Sequence, residues 1–144
     1  MYIVADIGGT KMRIAGSKDL EQFSEPVIID TPQDFETGLK LFVDAIEKIC
    51  YGEEPEKICV GLPGVLNAER TALFRAPNLR GWEKQDIKVR LEKEIGSRVF
   101  LENDSALVAL GEANFGAGRQ FPIMMYLTVS TGVGGARIVN KKID

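Results

Sequence analysis

The chain has 144 residues, 44% of them hydrophobic and 27% charged, with a formal net charge of -3. That length suffices for one domain with its own core, and the absence of a basic tract speaks against a nucleic-acid binder, which needs clustered Lys and Arg. With Cys50 and Cys59 as its two cysteines and no histidine, the chain lacks the ligands for a Cys/His zinc site, so zinc is not expected, nor is a disulfide framework or a His-dependent nucleophile.

The sequence has no run of about 18 apolar residues, so no membrane span is expected. It opens directly on a strand-like MYIVADI without a basic leader, so neither a signal peptide nor export is expected, and the location predicted is cytoplasmic.

In chain order, Tyr2 to Ile7 and Lys11 to Ser17 read as strands joined at Gly8-Gly9, and Gln22 to Asp30 as a third strand of a meander. Phe35, Leu39, Phe42, Val43, Ile46, Ile49 and Cys50 then recur at helical spacing. They predict a helix over Gln33 to Tyr51 with Pro32 in its first turn. KICVGL is a short apolar run suited to a buried parallel strand. Two short strand candidates flank a turn at Asn67 to Arg70. A helix at Asp86 to Ile95, a strand at Arg98 to Leu101 and a helix at Ser105 to Phe115 follow. Ile123 to Ser130 and Val133 to Val139 close the chain as strands around Thr131-Gly132. A meander followed by αβ crossovers predicts an α/β fold with a mixed sheet and helices on its faces. The sequence shows no repeat and no composition shift that marks a domain boundary.

Five stretches carry chemistry. In DIGGTK, Asp6 to Lys11, glycines permit positive φ and let backbone N–H groups face a phosphate. Thr10 and Lys11 add donors, and Asp6 is placed to hold water on Mg²⁺. STGVGG, Ser130 to Gly135, offers a second turn of this kind. In LENDSALVALGEA, Asn103 and Asp104 fall where a strand passes into a helix, the position at which open α/β sheets bind ligands. A helix N-terminus stabilises a carboxylate, and phosphoryl transfer tolerates a weak base because positioning dominates. GLPGVL, Gly61 to Leu66, and APNLRGW, with Asn78, are further ligand-side loops. Taken alone, these stretches read better as a Gly-Gly hairpin, a hairpin with a bulge at Gly134-Gly135, an N-cap and a Pro-Gly turn. Trp82 reads as packing, and Glu92, Lys93 and Glu94 as a solvated face.

Together, DIGGTK, GLPGVLN, PNLRGW, ENDSALVALGEANFGAG and YLTVSTGVGGARIVN, in that order, resemble the ROK family of sugar kinases and sugar-responsive repressors, within the actin-like ATPase superfamily. The resemblance implies a ribonuclease-H-like domain with a mixed five-stranded sheet and flanking helices. It implies Asp6, Gly8, Gly9, Thr10 and Lys11 as the first phosphate motif and Thr131 and Gly132 as the second. Asp104 matches the family's catalytic base, and Asn103, Gly64 and Asn78 match sugar-side positions. ATP and Mg²⁺ are the implied cofactors, and a small hexose, glucose or an N-acylated hexosamine, the implied substrate.

Family enzymes are roughly twice this length, and their E-x-G-H segment and cysteine-rich zinc motif do not occur here. Ala136 stands where the family often has a third glycine. The expectation is an N-terminal kinase half, inactive in isolation, whose partners are its missing C-terminal domain and, through an exposed docking face, a second copy in a homodimer. No nucleic acid and no membrane are expected as partners. The alternative is a non-catalytic sugar-sensing or partner-binding protein of the same fold.

Overall fold

The computed structural model describes residues 1–129 and 133–144. Strand β1 (Tyr2–Ile7) alternates, with Ile3, Ala5 and Ile7 buried. It pairs antiparallel with β2 (Lys11–Ser17), which pairs antiparallel with β3 (Val27–Asp30). Strand β3 starts later than the sequence suggests. The Asp19 carboxylate accepts from the N–H groups of Glu21 and Gln22, both at 2.9 Å, and Leu20 takes φ 63°, which folds residues 19–22 into a turn.

Helix α1 (Phe35–Ile49) is capped by Asp34, which accepts from the Thr37 N–H at 2.8 Å, so Pro32 lies before the helix rather than in its first turn. Its stripe of Phe35, Leu39, Phe42, Ala45 and Ile46 is buried in one core cluster with Ile3, Ile7, Met12 and Ile14. Strand β4 (Lys57–Leu62) runs parallel to β1. A short hairpin, β5 (Val65–Leu66) with β6 (Leu73–Arg75), leads to a 3₁₀ turn at Arg80–Trp82 that the sequence did not announce. Helix α2 (Ile87–Ile95) ends at Gly96 with φ 82°, and β7 (Arg98–Asn103) completes a sheet of order β3-β2-β1-β4-β7. This is the mixed five-stranded sheet that the family resemblance implies. Glu92 is not merely solvated: it accepts from the Val99 N–H at 3.0 Å and pairs with Lys88 at 3.2 Å.

The chain divides into two compact units, Met1–Glu102 and Asn103–Asp144. In the second, α3 (Asp104–Asn114) lies on a three-stranded sheet of β8 (Ile123–Val129), β9 (Val133–Val139) and the short β10 (Lys142–Ile143). Ala109, Ala113 and Ile138 form its small core, joined by Leu110, Met124 and Tyr126. Register runs straight through Leu127↔Gly135 and Thr128↔Gly134, so these glycines are regular strand residues, not the bulge the sequence allowed. Lys141 closes the far end. Its ammonium donates to the carbonyls of Ala113 at 2.7 Å, Gly118 at 3.0 Å and Arg119 at 2.7 Å, beside the C-terminus of α3. Among the described residues no helix is long and apolar enough to cross a membrane.

Candidate functional site

In the first unit, the turn between β1 and β2 is closed by the Gly8 N–H donating to the Lys11 carbonyl at 2.8 Å. The Thr10 carbonyl accepts from the Thr31 N–H at 2.9 Å, and the Gly9 carbonyl from Gln33 Nε2 at 3.2 Å. Carbonyl and N–H of a trans peptide point in opposite directions. Anchoring the Gly9 carbonyl on Gln33 therefore aims the Thr10 N–H away from that anchor, as an anion-facing turn requires.

Positive φ is not what requires the glycines here. Neither Gly8 nor Gly9 has positive φ. Instead the Asn78 backbone crosses so close that a Cβ on Gly9 would stand 2.5 Å from the Asn78 carbonyl oxygen. Gln33 Nε2 also donates to that Asn78 carbonyl at 3.3 Å. One side chain thus ties the candidate phosphate turn to the candidate sugar-side loop. Sequence reasoning missed Gln33, and nothing in its neighbourhood signals it.

Trp82 holds that loop. Its Nε1 donates to the Pro32 carbonyl at 2.9 Å, and its ring meets Phe35 edge-on with centroids 5.2 Å apart. The indole also fills the space a Cβ on Gly38 would need. Its packing role is as the sequence suggests.

Asp6, Thr10, Lys11 and Asn78 are all exposed on this unit. The Asp6 carboxylate lies 3.6 Å from Arg13, and the Lys11 ammonium contacts Asp30. No cluster of three or more metal-ligating side chains occurs among the described residues. An exposed carboxylate beside the candidate phosphate turn nonetheless fits Mg²⁺, which takes one or two carboxylates and otherwise water and substrate phosphates. Gly64 does have positive φ, 86°, and a Cβ there would strike the Arg75 carbonyl. Its glycine is required by the chain's own packing two residues before Pro77-Asn78.

The second unit carries the other candidates. Asn103 is the N-cap of α3, its Oδ1 accepting from the Ala106 N–H at 3.0 Å. Asp104 is the first residue of the helix. Its Oδ1 accepts from the Ser105 N–H at 2.6 Å and from the Ser105 hydroxyl at 3.2 Å. Ser105, which the sequence reading passed over, reaches β9, where a Cβ on Gly134 would stand 2.7 Å from its Oγ. The helix start that bears Asp104 is thus packed against the strand that follows the second turn. Thr131 and Gly132 themselves lie outside the described residues.

Burial pushes the thiols of Cys50 and Cys59 up, which keeps both as inert packing groups rather than thiolate ligands or nucleophiles.

The sequence model of the ROK family matches residues 2–144. The chain belongs to the ROK family. A glucokinase of Streptomyces coelicolor is 32% identical over 144 residues, covering 99% of this chain and 45% of that protein. An N-acetyl-D-glucosamine kinase of Mannheimia succiniciproducens is 33% identical, over 96% of this chain and 46% of that protein. Among solved structures, a ROK glucokinase from Streptomyces griseus in complex with glucose and AMPPNP superimposes with a TM-score of 0.86 and 29% identity, over 99% of this chain and 46% of that one. The fold is accordingly the actin-like ATPase fold of the ROK sugar kinases. The chain spans less than half the length of the curated relatives named.

Proposed function

We propose that this ROK chain is the N-terminal half of an ATP-dependent hexose kinase acting on glucose or an N-acylated hexosamine. The observation that carries the reading is the tie between Gly9 and Asn78 through Gln33. It joins the candidate phosphate turn to the candidate sugar-side loop, within a fold shared with a glucokinase solved in complex with glucose and AMPPNP.

In this reading the Thr10 N–H and hydroxyl and the Lys11 ammonium face the ATP phosphates, Lys11 leaving Asp30 to do so. Thr131 and Gly132 form the second phosphate turn. Asn78, Asn103 and the Gly64 loop face the sugar. Asp6 would hold Mg²⁺ through water, and the ion would neutralise phosphate charge. Asp104 accepts the proton of the attacking hydroxyl. The hydroxyl oxygen bonds the γ-phosphorus, the bond from that phosphorus to the bridging oxygen breaks, and ADP leaves. Ser105, donating to Asp104 Oδ1, fixes the carboxylate's orientation, so its second oxygen is the one presented.

The test is Asp104→Asn in the polypeptide as its source makes it. The change preserves shape and removes the base. Turnover should fall by at least about 10²-fold, while hexose binding measured by calorimetry stays within about threefold. A variant that keeps near-normal kcat overturns the role of Asp104. A wild-type protein that binds hexose and never forms sugar phosphate overturns the kinase reading in favour of a sensor.

A further inference from the structure

The β5–β6 hairpin carries an ion pair that the reading above does not use. At its tip Arg70 takes φ 53°, a conformation rare for a side chain of its size. Asn67 builds the turn that holds it there. The Asn67 carbonyl accepts from the Arg70 N–H at 3.0 Å, and its side-chain oxygen from the N–H groups of Thr71 at 2.8 Å and Ala72 at 3.1 Å. In this posture the Arg70 guanidinium contacts the carboxylate of Glu102, whose side chain is only 14% exposed. Glu102 lies on β7, and Asn103 and Asp104 follow it directly. The hairpin itself is flanked by Gly64 on one side and Asn78 on the other.

We infer that Arg70 and Glu102 are positioning residues that lock the candidate sugar-side hairpin, with Gly64 and Asn78 beside it, to strand β7 of the first unit's sheet. The inference rests on the kinase reading. A surface ion pair contributes little by itself. This one differs because one partner is largely buried and because a tied, left-handed turn presents the other. Observed backbone strain of this kind is retained where geometry matters. With the tie cut, the hairpin and its flanking loops gain freedom, and the sugar, not the nucleotide, loses its fixed seat.

The test uses the polypeptide as its source makes it, with Arg70→Met and Arg70→Lys, and measures KM for the hexose and for ATP. The expected order of hexose KM is wild type, then Arg70→Lys at about threefold, then Arg70→Met at about tenfold, with ATP KM unchanged. Unchanged hexose KM in both variants overturns the inference. So does a parallel rise in both KM values, which is the mark of a merely structural pair. If Arg70→Met does not fold, Arg70→Lys decides alone, by a hexose-only rise or none. If the wild type binds hexose without turnover, the kinase reading fails and calorimetric Kd values must follow the same order. A wild type that binds no hexose overturns both.

Discussion

Each of the two units contains an antiparallel meander, β3-β2-β1 in the first and β10-β9-β8 in the second. In the first unit β1 gains β4 as a parallel neighbour and β7 beyond it, and the stripe of α1, with Ile87 and Leu91 of α2, is buried in one core with the inner residues of these strands. In the second, β8 is the end of the described sheet and α3 covers one face. On the other face Ile123, Met125, Leu127, Val129 and Val133 are exposed. The meander of the first unit is thus closed into a core by crossover strands, whereas the meander of the second bears an exposed apolar face. Long unpaired apolar edges and patches of this kind are features proteins ordinarily cover.

Truncations of single side chains break or sharpen this contrast most strongly. Phe42 is fully buried, and Phe42→Ala should cost about 3–5 kcal/mol in urea unfolding. Leu127 is 66% exposed, and Leu127→Ala should stay within about 0.5 kcal/mol. A loss of about 2 kcal/mol or more at Leu127 would mean that the face is covered in solution, by a second copy or by further chain.

Two glycines, one from each unit, give a smaller effect. A Cβ at Gly9 meets the Asn78 backbone at 2.5 Å, which cannot step aside, whereas at Gly134 it meets the end of the Ser105 side chain at 2.7 Å, which can rotate. Gly9→Ala should therefore cost about 1–3 kcal/mol and Gly134→Ala clearly less, both read from the urea midpoint. Equal losses would contradict the close approach of Asn78.

The smallest effect is electrostatic and belongs to the first unit. The Val99 N–H, with help from Lys88, holds the Glu92 carboxyl below the usual carboxylate range. Its folded pKa is lower than its unfolded one. The stabilisation is thus complete above the ordinary carboxylate range and disappears as pH falls through the folded value. Glu92→Gln should be less stable than wild type at neutral pH, and the gap should close in acid. A gap independent of pH would assign the loss to packing.

Much of this was legible in the sequence, and the failures have two causes, distant partners and turns without a sequence signature. Tyr2 to Ile7, Lys11 to Ser17 and Lys57 to Leu62 follow from apolar pattern and glycine punctuation, because burial on one face dictates them locally. That Asn103 and Asp104 fall where a strand passes into a helix was readable for the same reason, although the helix starts at Asp104 rather than at Ser105. Part of what escaped depends on distant partners. Gly9 is glycine because of Asn78, Gln33 matters because it binds two carbonyls from separate loops, and Glu92 leaves the solvated face for Val99. The turns at Leu20 and at Asn140-Lys141 place ordinary residues at positive φ, with no Asn-Gly or Asp-Gly to announce them. Strand β10 went unread for that reason.

The most direct test of the account is hexose-dependent ADP release, measured side by side for the 144-residue chain and for the polypeptide as its source makes it. The account predicts turnover by the source polypeptide with glucose or an N-acylated hexosamine, and none by the 144-residue chain, whose second unit is open on one face. Equal turnover by both, or none by either, would contradict it.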